Sequence, residues 1–164
     1  MHKLMSSRSL LPILFGLLFL LFSCGPAVVT DTQQSLPATG WSGTDTLEFR
    51  FDITDTLALY DIYLTAEHGT DYPNQNFYTK VLTHFPNGAV LDQTLSLELA
   101  NAAGRWYGDC SSESCDFEVA VQRNAFFNQL GEHQIRVLPF VRRPVVPEIR
   151  QFGVRIEIAE GRRN

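Results

Sequence analysis

The residues of this chain with the most chemistry to offer are its three cysteines, Cys24, Cys110 and Cys115. Cys24 closes an N-terminus built in zones. Met1 to Ser9 is polar and carries Lys3 and Arg8 with no acidic residue, and Leu10 to Phe22 is an apolar run broken only by Pro12 and Gly16. A positive segment, a short apolar segment and a small residue before the cut make a secretory signal. The apolar run has 13 residues, too few to span a bilayer, which takes about 20. Leu21, three residues before Cys24, and Ser23, directly before it, match the lipobox pattern, with Phe22 bulkier than usual between them. The expected chemistry is removal of residues 1–23 and lipidation of Cys24, including acylation by palmitate-length chains. Each buried acyl methylene contributes about 0.8 kcal/mol, so two or more chains anchor a protein stably.

Cys110 and Cys115 stand in Asp109-Cys110-Ser111-Ser112-Glu113-Ser114-Cys115-Asp116. Outside the inner membrane the surroundings are oxidising, so a disulfide between them is expected. A zinc site would need about four suitable ligands, and no histidine is near in sequence. His68, His84 and His133 are scattered singly at no metal-ligand spacing, so they read as surface or internally bonded histidines. No metal site and no cofactor other than the lipid on Cys24 is expected. A Gly-x-Ser-x-Gly nucleophile elbow and Gly-rich phosphate loops are both missing. Asp45, Asp52, Asp55, Asp61, Asp71 and Asp92 supply many carboxylates, but a glycosidase pair meets in space and not in sequence. No catalytic residue is assigned. The more distinctive set is aromatic: Trp41, Tyr72, Phe77, Tyr78, Trp106 and Tyr107 fall beside turns or strand ends. Trp and Tyr join rigid apolar area to a polar handle, which suits protein or sugar contacts. Trp41, Tyr72, Trp106 and Tyr107 are therefore the candidate contact surface, with burial as core plugs at the ends of a sandwich as the alternative.

The elements that position these residues are strands. Leu47, Phe49, Phe51 and Ile53 alternate with Glu48, Arg50 and Asp52, the period of a half-buried strand. Further strands are expected over 57–66, 77–85, 90–99, around Phe117, Val119 and Val121, over 134–141, and from Phe152 to the end. Asp71-Tyr72-Pro73-Asn74 and Pro86-Asn87-Gly88 read as turns. No stretch shows a 3.6-residue period. Seven or so short strands with regular turns indicate an all-β fold, an antiparallel β-sandwich of jelly-roll or Ig-like kind. Residues 24–40, rich in Pro, Thr, Ser, Gln and Gly, read as a tether, and residues 41–164 as one sandwich domain. Without Lys3 and Arg8 the exported chain holds 11 basic against 18 acidic residues, a balance unlike that of a nucleic-acid binder. Arg136 to Asn164 reverses this with 7 basic and 3 acidic residues, either solvated strand faces or a patch for an acidic partner.

Several short runs, in order, resemble a known family. They are Leu36-Pro37 before Trp41, Phe49-x-Phe51-x-Ile53-x-Asp55-Thr56, Tyr60-x-Ile62-Tyr63-Leu64 and Asp71-Tyr72-Pro73-x-x-Asn76. Pro86-x-Gly88 with Asp92, Leu99-Ala100, Gly104-Arg105-Trp106-Tyr107-Gly108 and Phe152-Gly153-Val154-Arg155-Ile156 complete the set. Together with the lipobox they resemble the gliding motility lipoprotein GldH family of Bacteroidetes-type bacteria. Glu67-His68-Gly69 departs from the Arg-Asn that tends to precede the Asp-Tyr-Pro turn in that family, and the Cys110 to Cys115 loop looks like a local elaboration. The resemblance implies a non-enzymatic outer-membrane lipoprotein that supports the gliding machinery through contacts with other envelope proteins. Cys24-Gly25-Pro26-Ala27 lacks early acidic residues, which favours the periplasmic face. A lipid-tethered carbohydrate-binding module and a surface glycoside hydrolase are the rival readings. Cys24→Ser is expected to leave an unprocessed or mislocalised chain, and mass spectrometry of the mature N-terminus checks it.

Overall fold

The computed structural model describes residues 25–163, so the signal segment and Cys24 lie outside the described residues. All regular structure among those residues is strand. One sheet has the order β1 (Val28–Ser35), β11 (Ile149–Arg162), β4 (Ala58–Gly69), β8 (Ser114–Ala125) and β7 (Asp109–Cys110). The second has the order β3 (Leu47–Ile53), β9 (Gly131–Pro139), β5 (Asn76–His84) and β6 (Val90–Glu98). A short pair, β2 (Trp41–Ser42) with β10 (Val145–Val146), closes one end. Every pairing is antiparallel. Strands that follow one another in the chain mostly lie in opposite sheets, the β5–β6 hairpin being the long exception. That hairpin turns at Phe85-Pro86-Asn87-Gly88-Ala89, where Gly88 takes a φ of +84° that a side chain would resist, and Asn87 Oδ1 accepts the Ala89 amide at 3.0 Å.

The alternation read in the sequence is the alternation in space. Leu47, Phe49, Phe51 and Ile53 of β3 point inward between exposed Glu48, Arg50 and Asp52. They meet Phe152, Val154 and Ile156 of β11 and Tyr60, Leu64 and Ala66 of β4 in one core cluster. Rings plug both ends of it. At the end where β1 begins, called proximal here, Phe127 packs edge-on to Phe51, Tyr60 and His133 with centroids 5.7, 5.4 and 4.9 Å apart. At the distal end, Trp41 lies 5.7 Å from Phe77 and 5.2 Å from Phe152.

The outward face of the larger sheet is covered by charge. Arg155 grips Glu118 through two bonds of 2.9 and 2.7 Å, contacts Glu157, and lies 4.3 Å over the Tyr63 ring. The Glu118 bonds, ahead of the other carboxylate and Tyr63, raise the Arg155 pKa and keep its charge. Arg123 pairs with Asp61 at 3.0 Å. Shielded from both sides, β4 buries Asp61 and Tyr63 as well as its inward residues.

One sequence expectation is corrected. Residues 24–40 are not a free tether: residues 28–35 form β1, paired with β11 from Val28 opposite Glu157 to Ser35 opposite Gln151. The strand escaped the pattern because an edge strand has few inward positions, so Thr30, Asp31, Thr32, Gln33 and Gln34 lack an apolar alternation. Its backbone bonds come from β11, more than 110 residues away in the chain. Leu36 continues onto the core, its amide donating to the Arg150 carbonyl at 2.8 Å. Even Ala27 is tied down, accepting the Ile158 amide at 2.8 Å. Among the described residues, backbone pairing to the sheet thus starts at Ala27.

Gly153 reports on this edge. A Cβ there would come within 2.6 Å of Gln33 Cγ, 2.8 Å of the Thr32 carbonyl oxygen and 2.5 Å of Thr65 Oγ1. Overpacking of this kind costs about 1–3 kcal/mol. Gly153→Ala is expected to destabilise by that amount, and hydrogen exchange should show the amides of Thr32 to Gln34 losing more protection than those of β9.

Candidate functional site

The four candidate contact aromatics do not share a surface. Trp41 is 0% exposed, its indole nitrogen donating to the Asp45 carbonyl at 3.0 Å, and Val146 pairs with it across β2–β10. Tyr72 is 5% exposed, its hydroxyl donating to the Asn76 carbonyl at 3.2 Å. Burial raises the Tyr72 pKa, with Asn74 and Arg143 working the other way. Both are core plugs, and their place in the contact surface is corrected accordingly: turn-proximal rings at a sandwich end fold inward when the gap between the sheets needs filling. Trp106 is half-buried, bridged to the core through Ala100 and edge-on to His68 at 4.7 Å. Tyr107 alone of the four is exposed.

The histidines are also interior. His68 is 0% exposed, with Nδ1 3.0 Å from the Gly69 carbonyl, and His133 is 1% exposed, with Nδ1 2.9 Å from the Gly131 carbonyl. In each the other ring nitrogen finds no partner. They sit at opposite ends of the sandwich, His68 beside the distal rings and His133 among the proximal ones. Among the described residues no three or more His, Cys, Asp or Glu side chains converge as a metal set. Cys110 and Cys115 are joined by a disulfide that staples β7 to the start of β8. The closed loop is short, so the bond contributes about 2 kcal/mol. Carboxylates gather at one place, a shallow hollow of about 350 Å³ bordered by Glu67, Asp109, Asp116 and Glu118. Glu118 is held by Arg155, and Glu67 accepts from Gln151 at 2.7 Å. Those two are structural partners on a sheet face, whereas Asp109 and Asp116 stand opposite each other across β7–β8 with no side-chain partner among the described residues. The rings that line the hollow, Phe117 and Phe152, are buried, so neither offers a face to a sugar.

The basic C-terminal segment divides into two kinds. Arg155 and Arg162 are paired, with Glu118 and with Asp55 at 2.8 Å, and Arg150 lies 3.5 Å from Glu148. Arg142 and Arg143 are exposed and make no ion pair among the described residues. They border a distal concavity of about 700 Å³ with Tyr78 and Phe140, and the buried Tyr72 forms part of its lining, so of the four predicted contact residues Tyr72 reaches this surface from within the core. The Phe140 amide donates to the Tyr78 carbonyl at 2.9 Å, which keeps the two rings' strands in register, and both rings are exposed, Phe140 by 56%. Tyr, Phe and Arg are the residue types that dominate protein contacts. Sequence reasoning noted Tyr78 and the two arginines separately. It missed Phe140, an apolar ring at the outward position after inward Pro139, where the chain turns out of the sheet.

Fold and surface together define the class: a single antiparallel β-sandwich behind a lipoprotein-type leader, with two exposed rings and two arginines free of ion pairs, among the described residues, grouped at its distal end. The chain belongs to the GldH lipoprotein family, whose model matches residues 28–156. The match begins on the first residue of β1, so the edge strand is part of the family unit. The gliding motility lipoprotein GldH homolog of Christiangramia forsetii is 22% identical over 126 residues, covering 77% of this chain and 76% of that protein. The gliding motility lipoprotein GldH of Flavobacterium johnsoniae is 23% identical over 123 residues, covering 75% of this chain and 76% of that protein. The family is implicated in gliding motility and is not a known enzyme family.

His68 makes stability depend on pH. Burial, with a smaller push from Arg150, lowers its pKa below the ordinary 6.5, against a raising effect of the Gly69 carbonyl. The unfolded chain then binds the proton more readily than the folded one, so stability is full above about pH 6.5 and falls as pH drops below it. Thermal melts from pH 7.5 to 5 should show this decline, and His68→Phe should flatten it.

Proposed function

We propose that this protein is a non-catalytic, lipid-anchored part of the gliding machinery, held by acylated Cys24 to the periplasmic face of the outer membrane. It acts by gripping other envelope proteins of that machinery. The observation that carries the reading is the distal surface of Tyr78, Phe140, Arg142 and Arg143. It lies at the end opposite the leader, where an anchored domain would meet a partner rather than its own membrane. Two exposed rings with two unpaired guanidinium groups fit a partner with an acidic rim around an apolar contact, because rings supply area and arginine supplies directional bonds. The family relatives, named for gliding motility, support the machinery as the place of action. A carbohydrate-binding role has less to stand on, since Trp41 and Tyr72 are inside the core and only Tyr107 of the candidate platform is open.

Deletion of the protein is expected to abolish spreading and gliding while growth continues, and wild-type protein should restore both. Phe140→Ser combined with Arg143→Glu should fail to restore them although the variant accumulates normally in the envelope. Lys80→Gln, on the outward face of the same sheet, should complement fully. A deletion strain that still glides would overturn the functional reading. Full complementation by the distal double variant would overturn the surface assigned to it. Purified protein should show no hydrolysis of peptide, ester or glycan substrates.

A further inference from the structure

The proximal end carries a second unpartnered surface, of different chemistry. Val28, Leu57, Val90, Phe126, Leu130 and Ile158 all lie at this end or beside it, on strand tips and on the loops that join them. At its centre Leu57 is 53%, Phe126 59% and Leu130 60% exposed, values that few large apolar side chains reach in a folded domain. Leu57 and Phe126 are joined through Arg163. The Arg163 amide donates to the Leu57 carbonyl at 2.9 Å and its guanidinium stacks 4.7 Å from the Phe126 ring. Gln129, next to Leu130, accepts the Asn87 amide at 3.0 Å and so ties the 126–130 loop to the β5–β6 turn.

Charge at this end is partly paired. Asp55 pairs with Arg162 at 2.8 Å and Glu132 with Arg50 at 2.9 Å, while Asp52 and Glu160 are exposed and make no ion pair among the described residues. Arg163 makes no ion pair among the described residues, and its guanidinium lies over the Phe126 ring, so the cation is carried on an apolar base.

What covers this surface follows from the leader. Ala27 is already bonded to Ile158 at the proximal end. Two residues, Gly25 and Pro26, separate it from Cys24, three steps along the chain that span at most about 11 Å even when fully extended. A long tether would let the domain float free of the membrane, and the incorporation of residues 28–35 into the sheet removes that freedom. The geometry points to the lipid leaflet that holds the anchor as the occupant of the proximal surface: Leu57, Phe126 and Leu130 rest in the interfacial zone of that leaflet, with Arg163 at headgroup level. The sandwich is thereby set upright on the membrane with its distal end outward. This rests on lipidation at Cys24, which the proposed function also assumes.

Depth-dependent fluorescence quenching on the full lipidated protein tests it. The protein is reconstituted in vesicles of phosphatidylethanolamine and phosphatidylglycerol, with and without bromine on the acyl chains. Tryptophan is introduced singly as Phe126→Trp, Leu130→Trp and, as the distal control, Phe140→Trp. All three sites are exposed, so the fold is expected to tolerate each, and circular dichroism confirms it. Trp41 and Trp106 are common to every sample and are subtracted. The added emission at 126 and at 130 should shift to the blue in vesicles and be lost to brominated chains, whereas that at 140 should do neither. Protein that floats with the vesicles but shows no quenching at 126 and 130 would overturn this inference and leave the anchor standing. Protein that fails to float would overturn the anchor, and this inference with it.

Discussion

The structure turns on three rings from three sheets. Trp41 comes from the β2–β10 pair, Phe77 from the four-stranded sheet and Phe152 from the five-stranded one, and each is essentially without solvent contact. Two sheets packed face to face leave a gap where they splay at the ends, and aromatic side chains are the bulkiest apolar filling available. Trp41 fills it while its indole proton reaches the Asp45 carbonyl, so the large ring is buried without leaving a donor unmet. Because Trp41 belongs to the short segment between β1 and β3, its insertion also fixes where the chain crosses from one sheet to the other. The loop between β9 and β11 is pinned through Val146 in the same act.

That pinning separates the two ends of the molecule. At the distal end the 140–148 segment is held by β10, so Phe140, Arg142 and Arg143 stand beside Tyr78 on a supported surface. At the proximal end the rings of Phe51, Tyr60, Phe127 and His133 fill the gap, and the loop that carries Phe127 inward leaves its neighbour Phe126 outward. The ends therefore differ in kind, exposed rings with arginines free of ion pairs at one, exposed Leu57, Phe126 and Leu130 amid partly paired charge at the other.

The outward face of the larger sheet is stabilising rather than reactive. Arg155 serves two carboxylates and one ring, and Arg123 serves Asp61 and lies 5.5 Å over Tyr63. Tyr63 donates to Glu157 at 2.9 Å, and that bond is the main reason its pKa is raised. Charges satisfied in this way are committed to holding β4, β8 and β11 together. They explain why β4 is buried on both faces although its sequence includes Asp61 and Glu67.

The strands with a full inward face were legible in the sequence, because a two-residue period of apolar side chains is a local property and β3, β5, β9 and β11 each display it. The hairpin turn at Pro86 to Gly88 and the proximity of Cys110 to Cys115 were legible for the same reason. β1 was not. An edge strand draws its order from backbone bonds to a partner, here β11 at the far end of the chain, and those bonds leave no mark on its own side chains. The fate of the aromatics was not legible either. Trp41 and Tyr107 both lie beside turns, but whether a ring at a turn fills a gap or faces water depends on how far apart the sheets lie there, which no local pattern encodes. Sequence determined the kind of fold. Only tertiary packing decided which rings became core, which became surface, and that the surface rings gathered at opposite ends, because burial is settled by distant neighbours competing for the same space.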